Sequence, residues 1–151
     1  MAAIIVGPFP VAVVSAIALF FQTFVGHGGL TTIGANDFSM GIVGAFTGFG
    51  TWIALRRLNV PIFWAAGTAG LIGDLFTYIT SAFQLAISIY PSELFRYWVI
   101  FMLGYMPTQL PISIIEFMFT GLIIRYIAET RPEMLKFRAG FSSSSLASPT
   151  R

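Results

Sequence analysis

The chain contains no cysteine and one histidine, His27. The first absence excludes disulfides and thiolate metal sites and leaves the redox compartment open. A lone imidazole cannot build a metal centre unaided, because tight sites take about three or four ligands. Charge is scarce as well. Asp, Glu, Lys and Arg make up 9% of the 151 residues, against roughly 25% in an ordinary soluble domain. So few charges cannot clothe a water-facing surface, and the chain reads as an all-α polytopic membrane protein with about four transmembrane helices. Sixteen phenylalanines suit lipid-facing helices better than the polar-lined strands of an outer-membrane barrel. There is no strong basic balance: the net charge is +2, the basic residues gather at helix ends, and no nucleic-acid partner is implied. Nor is there a GxSxG, an HExxH or a phosphate-binding GxxxxGK[ST]. The chain is therefore not read as an enzyme, and it cannot hydrolyse ATP by itself. No tightly bound cofactor is expected. The opening MAAIIVGPFP has no basic segment before its apolar stretch, which argues against a cleaved signal peptide.

Long apolar runs are what the sequence does have. They predict a transmembrane helical region over residues 1–138, with spans at about 4–25, 38–55, 62–88 and 97–128. Pro8 and Pro10 fall in the first turns of the first span, where a missing backbone donor matters least. Pro91-Ser92-Glu93 ends the third. Pro107 and Pro111 leave the last stretch as either one kinked helix or a short interfacial helix followed by a span. A single net crossing is favoured, since the part before Pro107 is too short to span alone. The terminal FSSSSLASPTR, within 139–151, is low in complexity and is expected to be disordered.

Basic residues set the expected orientation. Arg56 and Arg57 close the second span, and Arg131, Lys136 and Arg138 follow the fourth. With both groups in the cytoplasm, both termini of the chain lie inside and only Arg96 falls outside. The loop Gly26 to Asp37, which carries His27, then faces outward. Its other polar side chains, Thr31, Thr32, Asn36 and Asp37, are hard oxygen donors. In the plainest reading His27 hydrogen-bonds to backbone and packs a loop whose glycines allow tight turns.

Within the spans, Asp74 and Glu116 are expensive to place, about 2.5–3.5 kcal/mol each at a helix centre. Such groups face protein or water. Arg96, Arg125, Thr77, Thr80, Gln84 and Gln109 are the expected partners, and helix-to-helix hydrogen bonding is as good a reading as an ion pathway. Gly44 and Gly48 form a GxxxG, and Gly67, Gly70 and Gly73 recur on one side of the third span. Small residues at these spacings let helix backbones approach closely.

Three segments together resemble the CbiM/NikM family, the substrate-binding S components of energy-coupling-factor (ECF) importers for cobalt and nickel. They are HGGLTTIGANDFSMGIVG at 27–44, GDLFTYITSAFQLAI at 73–87 and MPTQLPISIIEFMFTGLI at 106–123. The first is the most specific. In the last, Phe117 stands where the family usually has glycine. The resemblance implies a cell-membrane protein that works with a transmembrane coupling subunit, two cytoplasmic ATPase subunits and a small accessory membrane subunit, with Co(II) or Ni(II) as cargo. Family members begin Met-His, whose amine, backbone nitrogen and imidazole grip the metal, and a second ligand histidine lies in a Ser-His-Pro-Thr-Gly loop. This chain begins Met1-Ala2-Ala3 and has neither element. It is therefore expected to be a partial S-component bundle, the C-terminal part of such a subunit, with no residue of its own touching the metal.

Planar nitrogen donors suit Ni(II) and serve Co(II), and ligating imidazoles need neighbours that fix their orientation. His27 and Asn36, with Thr31 and Thr32 behind them, are the expected neighbours. The rival reading is a structural remnant, or a half-subunit that completes a separately encoded N-terminal part without binding metal itself. An intramembrane enzyme using His27, Asp74 and Glu116 ranks last, because the expected topology separates the imidazole from the carboxylates. Glycine-rich faces without partners also predict weak stability for the chain alone.

Overall fold

The computed structural model of the protein describes residues 1–25 and 29–135. His27, Lys136, Arg138 and the tail 139–151 lie outside the described residues. Among the described residues the secondary structure is helical throughout, without a strand. This is a helical membrane protein.

The first apolar run is divided. Helix α1 spans Ala2–Val6 and α2 spans Pro8–Phe24, with Gly7 between them at φ 89°. Only glycine takes that backbone conformation without a steric penalty. Pro8 follows at the first position of α2, where its missing N–H has no helical partner to lose. The expected span at 4–25 is thus a folded-back turn of helix followed by a 17-residue helix, and α1 packs on α2 and α4 (Ala45–Arg57).

The second span starts earlier than its hydrophobicity indicates. A 3₁₀ turn at Leu30–Thr32, helix α3 at Ile33–Asn36, a π-helical segment at Asp37–Gly44 and α4 form one helical run from Leu30 to Arg57. The expected loop is therefore helical from Leu30 on. The Thr32 hydroxyl closes the first turn: it accepts from the Gly29 N–H at 3.1 Å and lies 2.9 Å from the Gly29 carbonyl. At the far end Arg56 Nη1 donates to the Val60 carbonyl at 2.6 Å. Asn59, at φ 59°, turns the chain toward Pro61, and Pro61 leads into α5 (Ile62–Ile89).

After a 3₁₀ turn at Pro91–Glu93, α6 runs from Leu94 to Thr130 as one helix of 37 residues. Pro107 and Pro111 lie inside it. Each removes one backbone donor, to the carbonyls of Leu103 and Pro107, without ending the helix. Among the described residues three runs are long and apolar enough to cross a membrane: Leu30–Arg57, Ile62–Ile89 and Pro91–Thr130.

Helices neighbour one another in the order α2, π segment with α4, α5, α6, so α5 is central. Its buried faces are made of small residues: Ala65, Ala66, Ala69, Ala82 and Ala86 are essentially inaccessible. Glycines bring backbones together on both sides. A Cβ added at Gly73 would lie 2.8 Å from the Gly44 carbonyl oxygen, and one at Gly48 would lie 2.9 Å from the Ala69 carbonyl oxygen. On the α6 side, a Cβ at Gly67 would meet the Phe117 ring at 2.8 Å, and one at Gly121 would meet the Phe63 ring at 2.9 Å. The large side chains point outward instead. Phe9, Phe21, Phe24, Phe95 and Ile115 are all exposed, which is where lipid places its apolar contacts.

Candidate functional site

Two polar regions lie along the Leu30–Arg57 run. The first is its head. Thr31 and Thr32 are exposed and Asn36 is half-buried. Asn36 Nδ2 approaches Thr32 Oγ1 at 3.5 Å, so the two side chains sit on one face of consecutive turns. Gln84 on α5 donates to the Ala35 carbonyl at 3.1 Å, tying this head to the third span. His27 precedes it and lies outside the described residues.

A cavity of about 200 Å³ forms the second region, further along the bundle, where Met1 and α1, the π segment, α4, α5 and α6 converge. Asp74, Glu116, Tyr78 and Met40 line it, as do Gly44, Gly48, Gly70 and Gly73. The glycines decide that the cavity exists there. Their missing side chains let the helices close to contact at the walls while leaving the carboxylates in an open centre.

The partners of the two carboxylates differ from the expected set. Arg96 pairs with Glu93 at 2.8 Å and Arg125 pairs with Glu129 at 2.8 Å, both within one helical turn. Thr77 and Thr80 donate to backbone carbonyls of their own helix, Gly73 at 3.0 Å and Phe76 at 2.8 Å. Asp74 is instead met by Ser113 of α6, whose hydroxyl lies 2.5 Å from Asp74 Oδ2 and 2.8 Å from the Gln109 carbonyl. Ser113 is fully buried, and Asp74 is half-buried at the cavity wall. The serine hydroxyl carries one proton and faces two acceptors; a proton on the Asp74 carboxyl would make both contacts hydrogen bonds.

Glu116 accepts from Thr120 at 3.1 Å and lies 3.7 Å from the Met1 amino group. Gln109 does not reach Asp74 with its side chain. Its Oε1 is buried and has no hydrogen-bond partner among the described residues.

The sequence pattern thus assembles in part. Asp74, Glu116 and the four glycines share one cavity; Thr31, Thr32 and Asn36 stand apart at the head of the span. Ser113 was missed, although it lies four residues after Gln109 and three before Glu116, on one helical face. Tyr78 and Tyr105 also meet across α5 and α6, with ring centroids 5.8 Å apart. Among the described residues no three His, Cys, Asp or Glu side chains come together as a metal site would require.

Comparison with known proteins adds a family to this geometry. The model for CbiM, the cobalt uptake substrate-specific transmembrane region, matches residues 1–134. The cobalt transport protein CbiM of Acetohalobium arabaticum is 40% identical over 138 residues, which are 90% of this chain and 55% of that protein. The CbiM protein of Geobacter sulfurreducens is 37% identical over 137 residues, 89% of this chain and 40% of its own length. That of Thermosipho melanesiensis is 41% identical over 133 residues, 84% of this chain and 54% of its length. The chain spans about half the length of these curated relatives.

Proposed function

The chain belongs to the CbiM family of cobalt-uptake transmembrane regions, and from that premise we propose that it serves as a membrane substrate-binding component of an ECF-type importer for cobalt or nickel ions. It acts there by binding and presenting cargo rather than by catalysis. Its partners are a transmembrane coupling subunit, two cytoplasmic ATPases and a small accessory membrane subunit. The polar head of the Leu30–Arg57 run faces outward and the Arg131 end of α6 faces the cytoplasm, following the positions of Arg56, Arg57 and Arg131, while Met1 folds back with α1 into the cavity beside Glu116.

The observation that carries this reading is the continuity of that run. One helical segment joins the polar turns holding Thr31, Thr32 and Asn36 to the carboxylate-lined cavity below. A cargo ion arriving from outside meets the polar turns first. His27 and Asn36, with Thr31 and Thr32, are assigned to orienting the groups that grip the ion. The gripping histidines themselves are assigned to the length of the relatives that this chain does not span. In a second reading the chain is only the helical framework of a two-piece subunit, and its coverage of about half of the relatives' length is in keeping with that.

Isothermal titration of Co(II) and Ni(II) tests both. It is run on the 151-residue chain and on the chain joined to the Met-His and Ser-His-Pro segments of a relative. Submicromolar binding confined to the joined protein is the expected result, with Asn36→Ala weakening it about 10- to 100-fold. Tight binding by the chain alone would overturn the ligand assignment. If the joined protein failed to bind, only the framework reading would survive.

A further inference from the structure

The segment Asp37–Gly44 is π-helical, with hydrogen bonds from i to i+5 in place of i+4. Such a segment is an α-helix carrying an extra residue, and it leaves carbonyls at its edges without their ordinary partners. Here side-chain donors reach them at both ends. The Ser39 hydroxyl, fully buried, lies 3.2 Å from the Ala35 carbonyl and 3.1 Å from that of Asn36, and Gln84 also donates to Ala35. At the other edge the Thr47 hydroxyl lies 2.7 Å from the Val43 carbonyl and 3.3 Å from that of Gly44. The wide turns are also held from outside. Ser15 on α2 hydrogen-bonds Asp37 Oδ1 and lies 2.9 Å from the Ala12 carbonyl. A Cβ at Gly41 would occupy the space of both Ser15 Oγ and Asp37 Oδ1. Gly41 is therefore the notch through which α2 reaches the π segment.

We propose that Ser15 and Asp37 are positioning residues for the polar head: their contact, admitted by Gly41, holds Asp37–Gly44 in π register and so sets which way Leu30–Asn36 face above the cavity. Relaxation to α would remove one residue of register. At 3.6 residues per turn this rotates everything N-terminal by about 100° relative to α4, a displacement of roughly 8 Å at side-chain radius. Thr31, Thr32 and Asn36 would then present to a different neighbour while the cavity below kept its walls. The importance of that orientation for cargo rests on the reading given under Proposed function. The register lock itself does not.

The test uses the absence of native cysteine. Nitroxides on Leu30→Cys and Phe95→Cys, both exposed at the same end of the bundle, report the head against α6 in lipid nanodiscs. Ser15→Ala, Asp37→Ala and Gly41→Ala are each expected to shift or split the inter-spin distance by several ångströms, while Asp37→Asn, which keeps Oδ1, restores it. Distances unchanged in both Ser15→Ala and Asp37→Ala would overturn the proposal. Should Gly41→Ala fail to fold, the other two still decide. Cobalt(II) uptake by cells whose transporter carries the same variants separates the two ideas. A raised KM with kcat retained, rescued by Asp37→Asn, supports both. A shifted distance with unchanged uptake leaves the lock standing and removes the role of the head in cargo binding.

Discussion

Gly73→Ala is expected to loosen the contact between α4 and α5. The added Cβ would lie 2.8 Å from the Gly44 carbonyl oxygen and 3.4 Å from the Gly48 Cα. Both are backbone atoms, so no side chain can swing aside, and the helices must part by about half an ångström to restore ordinary contact. A gap of that size forfeits about a quarter to a half of each dispersion well of ~0.1–0.2 kcal/mol, which over about twenty atom pairs is on the order of 1 kcal/mol. Overpacking of a filled core costs about 1–3 kcal/mol in general, and the crowded carbonyl places this site in that range. Gly50→Ala is the control. Nothing lies within 4 Å of its added Cβ, and alanine is favoured over glycine in a helix by up to about 1 kcal/mol. Both variants are unfolded in mixed detergent micelles by rising SDS and followed by far-UV circular dichroism. The midpoint should fall for Gly73→Ala and hold or rise for Gly50→Ala. Equal midpoints for the two would refute the claim that backbone approach, rather than helix propensity, fixes glycine at 73.

Three further outcomes are open to measurement. Gly67→Leu should drive into the Phe117 ring and the Phe117 carbonyl and destabilise by about 1–3 kcal/mol, and Phe117→Ala should recover only part of that loss in the same melt, since it removes the ring and leaves the carbonyl 2.9 Å from the new Cβ. Ser113→Ala leaves the Asp74 carboxyl without its hydrogen-bond partner at 2.5 Å; a cost of about 1–3 kcal/mol is expected, and Asp74→Asn in that background should relieve part of it. Glu129→Gln breaks an exposed pair with Arg125 and should change stability in the same melt by less than about 1 kcal/mol; a larger change would refute the reading of the pair as solvent-screened.

The membrane fold was legible because hydrophobic runs and sparse charge are local properties that composition reports directly. Arg56, Arg57 and Pro91 mark helix ends in the sequence as they do in the structure, where α4 ends at Arg57 and a 3₁₀ turn starts at Pro91. The break at Gly7 was hidden, because an apolar run reads the same whether or not one glycine adopts a positive φ. Nor did hydropathy distinguish π from α register at Asp37–Gly44; Ser15 of α2 and Gln84 of α5 reach that segment's N-terminal edge from other helices. Long-range pairing explains the remaining misses. Asp74 and Ser113 are 39 residues apart, and nothing local to either says that α5 and α6 bring them level. Arg96 and Arg125 are expected partners for a carboxylate until helix offsets are known, and acids within one turn then claim them.

The paired lengths of α5 and α6 have a consequence for the bilayer. At about 1.5 Å per residue, 28 and 37 residues give rods of roughly 42 and 56 Å, while a hydrocarbon slab is about 30 Å thick. Alpha2, with 17 residues, is only about 26 Å long. Rods that are too long must lean or project, and a short one draws the lipid thinner around it. Phe117 seated over Gly67 and Phe63 seated over Gly121 bolt the two long rods together, so they lean as one plank. A change of a few ångströms in slab thickness therefore turns that plank as a unit, at fractions of a kcal/mol per ångström. Lipid thickness acts on this protein as a mechanical load, and the glycine-seated aromatics transmit it.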